Sequence, residues 1–288
     1  MDRNPKLGVI GGSGLYVMEG LSKIESRPIR TPFGEPTSEV TLGDLNDTCV
    51  AFLARHGPGH RYTPTEVNYR ANIYALKSLG VQRVVSISAC GSLREDYAPG
   101  DIVIPDQMVD LTKGRARSFF GEGLVAHVSV PDPFCPDLSA RVLESVKEAG
   151  GKVHRGGTFI TIEGPRFSTR AESSLYRSWG MSIIWMTTSP EAFLAKEAEM
   201  CYTVMAHVTD YDVWHVSEAP VTVDLVIRVL QANTALAQRA IARLTKRLEE
   251  RRTCTCENAL ADALITQRDA IPQETREKLG LLVDKYLS

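Results

Sequence analysis

The chain has 288 residues, 43% of them hydrophobic and 24% charged, with a formal net charge of −2. Such a length can bury a large core, and the near-neutral balance excludes a general electrostatic pull toward nucleic acid or anionic membrane surfaces. The opening residues, MDRNPKLGVIGGSGLY, hold no apolar run long enough for a signal peptide, and no stretch reaches membrane-spanning length, so a cytoplasmic protein is expected.

In chain order, Lys6 to Ile10 reads as a short apolar strand that runs into Gly11-Gly12-Ser13-Gly14. Alone, that run is more often a tight turn than a phosphate cradle. It lacks the Gly-Lys-Ser/Thr of a Walker loop and the third glycine of a dinucleotide fingerprint. Ser13 gains meaning only if other anion ligands converge on it. They do recur. Cys49 to Ala54 is a buried-strand pattern ending in Arg55-His56, and both side chains bind oxyanions, Arg bidentately. A helix is expected over Thr65 to Leu79. The strand Val84 to Ser88 then leads into a small-residue turn, Ser88-Ala89-Cys90-Gly91-Ser92, whose hydroxyls and amides suit an anion.

Asp101 to Ile104 is a further strand, and Lys113 to Gly123 is a Gly-rich, partly basic loop, the best candidate for a flexible stretch in the first half. His127 falls in a short apolar strand and reads as a satisfied structural histidine unless a partner subunit brings it to a site. Asp137 to Ala149 is an amphipathic helix, Val153 to Ile162 a strand, and Thr169 to Trp179 a helix.

From Met181 to Trp214 the chain shows its most informative stretch. A strand (Ser182 to Trp185) meets Thr187-Thr188, then a helix with Ser189 as cap and Pro190 in its first turn, then a second strand from Tyr202 to Val208. The helix N-terminus, with the hydroxyls of Thr187 and Thr188 ahead of it, is a candidate anion site, and the second strand delivers two carboxylates, Asp210 and Asp212. One long helix is expected from Val221 to Arg252, its basic end a solvated face, with short helices near Glu257 to Arg268 and Gln273 to Tyr286. Alternating strands and helices give an α/β fold: a central mixed sheet flanked by helices in one domain over 1–250, with a helical C-terminal extension over 251–288 packed on it.

Six cysteines are too few for a secreted disulfide scaffold at this length. Cys254-Thr255-Cys256 stands out in a polar segment. A lone C-x-C offers two of the four ligands zinc wants, so an unremarkable pair or a disulfide stands ahead of zinc, and no metal is expected.

The motifs GVIGGSGLY, TPFG, LARHG, VNYRANIYALK, ACGSLRE, PGDIVIPDQ, EGPRFSTRAES, MTTSPEA and TDYDVW stand in order between Lys6 and about Gln238. With them the chain resembles the purine nucleoside phosphorylase family of trimeric type, and within it the branch that acts on 5'-methylthioadenosine. The resemblance implies a single-domain phosphorylase-type fold and phosphorolysis of 5'-methylthioadenosine, probed by nature in purine and methionine salvage, with some action on adenosine. It assigns Ser13, Arg55, His56, Ser88, Ala89 and Thr187 to inorganic phosphate, a co-substrate, and implies no cofactor. Met186 falls at the ribose contact, and Phe167, Ser168, Asp210 and Asp212 at the base pocket, the two aspartates as the catalytic carboxylates. The 5'-methylthio pocket takes Val223 and Val226, and also His127 where a neighbouring subunit supplies it. A homotrimer or homohexamer is implied, with neither nucleic acid nor membrane as partner.

Three positions bear on substrate. Relatives acting on 6-oxopurines carry Asn in place of Asp210, Glu in place of Ser168, and His in place of Val223. A carboxylate suits a 6-amino group and an apolar side chain suits a 5'-methylthio group; the alternative is a 6-oxopurine nucleoside or methylthioinosine phosphorylase. Trp185 is bulkier than the resemblance leads one to expect. The last fifty residues are similar to heat-loving microbial relatives that carry C-x-C, a resemblance that points toward disulfide-assisted thermal stability and leaves open whether Cys254 and Cys256 are bonded.

Overall fold

The computed structural model describes residues 3–12, 20–215 and 223–287, side chains of 223–232 excepted. Its strands are β1 (Leu7–Gly11), β2 (Ser22–Arg27), β3 (Val40–Leu45), β4 (Thr48–Ala54), β5 (Arg83–Ser92), β6 (Ile102–Ile104), β7 (Gln107–Asp110), β8 (Val153–Arg155), β9 (Thr158–Thr161), β10 (Ile183–Trp185) and β11 (Cys201–Asp210). The helices are α1 (Tyr69–Ser78), α2 (Pro136–Glu148), α3 (Arg170–Ser178), α4 (Thr188–Glu197), α5 (Val223–Thr245) and α6 (Gln273–Leu287).

All the strands join one mixed sheet, as expected. β5 and β11 are its centre, and every one of their residues is buried. A strand covered on both faces reads as an unbroken apolar run, which is why both were visible in the sequence. Side chains alternate between the two layers. Leu7, Val9, Phe52 and Val85 face a core shared with α2 and α5. Ile10, Leu53 and Val84 face the opposite core, shared with α1, α4 and α6.

Helix ends follow local chemistry. Asn68 caps α1 through the Ala71 amide, so that helix starts later than Thr65. Thr169 and Glu172 form a reciprocal capping box on α3. In α4, Ser189 keeps non-helical dihedrals (φ −96°, ψ 138°), as a cap residue does, and its hydroxyl makes no hydrogen bond.

Several expectations need correction. Ser88 to Ser92 is no turn: it continues β5, held by parallel pairing with β11. The strand expected over Val153 to Ile162 is split into β8 and β9 by Gly156 and Gly157, both at positive φ. The long helix ends at Thr245, and two arginines of the basic run beyond it are paired, while Lys246 and Arg251 are exposed as expected of a solvated face. Arg247 meets Glu148, and Arg252 donates to the Glu199 carbonyl. Only 3-10 turns at Thr255–Asn258 and Arg268–Ala270 occupy the region of the first short C-terminal helix. β2 and β3, an antiparallel pair at the sheet edge, carry no long apolar run and went unread.

Loop 113–123 is tied down, contrary to expectation. Arg115 is buried, and Glu163 accepts from the Lys113 and Gly114 amides. Glu197 holds the Phe119 amide and the Ser118 hydroxyl.

Candidate active site

The sheet has a break in pairing on one edge of β5. β1 covers Arg83 to Ser86, and β10 covers Gly91 and Ser92 from the opposite direction. Between them, residues 87–90 have no strand partner on that edge among the described residues. Such a gap at a change of strand direction, at the carboxyl ends of parallel strands, is where ligands enter α/β sheets.

The tips of β4, β5 and β10 and the start of α4 meet at this gap. Arg55, 3% exposed, donates through Nη1 to the Ile87 carbonyl (3.3 Å) and through Nη2 to Ser86 Oγ (2.6 Å). Its Nε and Nη2 also grip Glu191 of α4, at 2.8 and 2.9 Å. Burial opposes the guanidinium charge, but the Glu191 carboxylate outweighs it and holds Arg55 above its usual range. This corrects the bidentate expectation: the forked face of Arg55 is spent on Glu191, and Nη1 alone retains an N–H for another anion.

Other predicted anion ligands lie along the same gap. The Gly11 carbonyl accepts from the Arg55 amide (3.0 Å), so the chain leaves β1 beside Arg55. Ser13 itself lies outside the described residues. Ser88 Oγ donates to the Ala89 carbonyl (2.9 Å). Because Ile87 turns its carbonyl to Arg55, the period of two turns the Ala89 main chain to that same edge. Thr187, 1% exposed, leaves its hydroxyl without a partner, as do Thr188 and Ser189. Three consecutive buried hydroxyls without partners at one helix start are costly unless something accepts from them. His56 donates from Nδ1 to the Tyr62 carbonyl (2.8 Å) and stacks on His60. Burial, then the Arg55 charge, depress it to about 4, so the ring is neutral at pH 7 and presents a free Nε2 lone pair.

Further along, Phe167, Ser168, Trp185, Met186, Asp210 and Asp212 line one recess with Gly91. Between Val208 and Asp210 the pairing of β11 with β5 shifts by one residue, a bulge that re-aims the Asp210 side chain. Gly91 is what lets it lie there: a Cβ on Gly91 would sit 3.0 Å from Asp210 Oδ1. Asp210 accepts from Thr209 Oγ1 (2.6 Å) and from the Asp212 amide (2.8 Å). Burial, with help from Asp212, pushes its carboxyl up to about 6, and burial raises Asp212 as well. Asp212 Oδ2 and Ser168 Oγ have no hydrogen-bond partner. Trp185 tilts against Phe167 with ring centroids 6.2 Å apart, so its bulk forms a wall of the recess.

Of the expected residues whose side chains are described, His127 lies outside the recess. His127 is exposed, not satisfied in the core, and belongs to no strand; its amide donates to the Ala263 carbonyl. Val223 and Val226 open α5, but their side chains lie outside the described residues. Conversely, two positions that hold this region together went unread. Glu191 looked like an ordinary acidic residue of a first helical turn. Arg115 looked like part of a solvated basic loop, yet its Nη1 donates to the carbonyls of Met186 (2.6 Å) and Ser189 (2.7 Å) and its Nη2 to that of Glu163 (2.7 Å). No apolar period marks such a clamp. Arg115→Met should strand these carbonyls and lower folding stability by about 3 kcal/mol in urea unfolding; a loss below about 1 kcal/mol would mean the clamp is dispensable.

Residues 6–248 match the family model of the phosphorylase superfamily. The chain belongs to this superfamily. Within the superfamily it is 54% identical over 282 residues to an S-methyl-5'-thioadenosine phosphorylase of Geobacter sulfurreducens, covering 98% of this chain and 99% of that one. A protein of the same name from Koribacter versatilis is 50% identical over 281 residues, covering 98% and 96%. Among solved structures, a methylthioadenosine phosphorylase sourced from an Antarctic soil metagenomic library superimposes with a TM-score of 0.94 at 47% identity, covering 98% of this chain and 99% of that chain. The Schistosoma mansoni methylthioadenosine phosphorylase in complex with adenine gives 0.81 at 36%, covering 84% and 91%. The phosphorylase-type α/β fold expected from the motifs is thus the fold of this chain.

Proposed function

We propose that this chain is a pentosyltransferase that converts 5'-methylthioadenosine and inorganic phosphate to adenine and 5-methylthioribose 1-phosphate, with some action on adenosine. The observation that carries the reading is the pairing of three partnerless buried hydroxyls, Thr187, Thr188 and Ser189, on the helix that holds Arg55, with a buried carboxyl of raised pKa, Asp210, one strand end away. The relatives' names support the substrate.

In this reading the C1'–N9 bond breaks and a C1'–O bond to phosphate forms. Phosphate sits at Ser13, Arg55, His56, Ser88, the Ala89 main chain and Thr187, beneath the sugar, where its charge stabilises the cationic ribosyl group. His56, neutral and fixed through Nδ1, accepts a hydrogen bond from a phosphate hydroxyl at Nε2, with no transfer of the proton. Asp210 hands its proton to purine N7 while its other oxygen accepts from the 6-amino group, and Asp212 resists a second ionisation. Phe167 and Ser168 bound the base and Met186 the ribose. Val223, Val226 and a neighbouring copy's His127 enclose the methylthio group in a homotrimer or homohexamer. The exposure of His127 supports that role. Phosphate is a co-substrate, and no cofactor takes part. Residues 1–250 form the catalytic domain and 251–288 an extension on it, supported by the sharing of one core by Leu260, Leu279, Leu282 and Val283 with the sheet. No helix among the described residues is long and apolar enough to cross a membrane, in keeping with a cytoplasmic enzyme.

Steady-state rates with saturating phosphate test the substrate. Methylthioadenosine should give the highest kcat/KM, adenosine a lower one and inosine the lowest. Inosine turning over as well as methylthioadenosine would contradict the base-pocket reading.

A further inference from the structure

The C-x-C at Cys254 and Cys256 falls short of a metal site on its own, but the fold supplies what it lacks. Cys135 and Cys201 join it, and the four sulfur atoms all lie within 4.8 Å of one another. All six cysteines of the chain are free thiols, and Cys254 Sγ stands 3.3 Å from Cys201 Sγ. The expectation of no metal, made from two sulfurs, therefore has to be revisited with four.

Each sulfur comes from a fixed piece of backbone. Cys135 caps α2, its sulfur accepting from the Leu138 amide at 3.5 Å and its own amide donating to the Tyr202 carbonyl. Cys201 opens the central strand β11, its amide bonded to the Gln82 carbonyl. Cys254 and Cys256 bracket the start of the 3-10 turn at Thr255–Asn258. Cys135, Cys201 and Cys256 are buried and Cys254 is half-buried.

We propose that Cys135, Cys201, Cys254 and Cys256 form a closed tetrathiolate site for one Zn2+ that fastens the C-terminal extension to the sheet. A tetrahedron with Zn–S bonds of about 2.3 Å has edges of about 3.8 Å, so shifts below about 1 Å bring these sulfurs into place. Four thiolates select a soft, tetrahedral ion over Mg2+ or Ca2+, which prefer oxygen. The thiols release four protons as the ion binds, and no electron is transferred. With all four positions taken by protein, the site is structural and leaves none for substrate. It clasps the chain just before α6, whose Leu279, Leu282 and Val283 complete the core.

The full-length protein, produced with added Zn2+ and dialysed without chelator, should hold about one zinc per chain by elemental mass spectrometry. Cys254→Ser and Cys135→Ser should each lower this at least tenfold, whereas Cys49→Ser, outside the cluster, should leave it unchanged. Should the variants fail to fold, titrating the chelator-treated wild type with Co2+ gives an independent answer. Intense visible bands of tetrahedral thiolate cobalt, saturating near one equivalent, support the site. Zinc below a tenth of an equivalent, absent cobalt bands, or an intact mass short by two or four hydrogens from disulfides would each overturn it.

Discussion

Asp210→Asn should lower kcat/KM for methylthioadenosine by about 10²–10⁴-fold, the usual worth of a positioned general acid. An amide cannot hand a proton to N7, and its NH2 opposes a 6-amino group. It suits a 6-carbonyl, so methylthioinosine should lose far less; equal losses on both substrates would sink this assignment. The pH profile carries a second signature. With the Asp210 carboxyl pushed up to about 6, the acid form is populated below that value and drains away as pH rises through it. Relative to Asp210→Asn, in which the ionisation of phosphate is common to both proteins, the wild type should lose kcat/KM across this range. The same group also affects stability. Its folded value lies above the ordinary 3.8, so its contribution is complete below 3.8 and is lost as pH rises through about 6.

Glu191→Ala should cost about 3–5 kcal/mol of folding stability in phosphate-free buffer, because it leaves the buried Arg55 guanidinium without its counter-charge. Tyr202 loses its acceptor in the same change, since its hydroxyl donates to Glu191 Oε1 at 2.7 Å. Inorganic phosphate should restore part of the loss, since an anion at the Thr187 end of α4 sits beside the freed guanidinium. Urea midpoints with and without phosphate give the answer. A larger phosphate-induced shift in Glu191→Ala than in wild type is expected; identical shifts would place the anion away from Arg55.

How much of this was legible in the sequence depends on the kind of signal. β5 and β11 announce themselves because both faces are buried, and α2 through its amphipathic spacing and the Gly150-Gly151 that closes it. Three strands ending in small or basic groups, at Ser13, Arg55-His56 and Ser88, lead to the expectation of one anion site, and the Arg55–Glu191 contact joins the tip of β4 to the helix that Thr187 introduces. What stayed hidden is chemistry between distant residues. Nothing in local spacing tells that Arg55 is already held by a carboxylate 136 residues away, or that Arg115 turns inward from a basic loop to grip three carbonyls. The bulge at Thr209 and the bare Gly91 opposite it are likewise products of strand register, which a single strand cannot report. The four-cysteine cluster is the clearest case: its halves lie 53 residues or more apart, and only the bond of the Cys135 amide to the Tyr202 carbonyl of β11 and the return of the C-terminal segment unite them.

The most direct measurement is product formation from methylthioadenosine with and without inorganic phosphate, resolved by chromatography. Adenine and 5-methylthioribose 1-phosphate should appear in equal amounts when phosphate is present, and neither when it is withheld. Adenine released just as fast without phosphate, alongside free methylthioribose, would contradict the account.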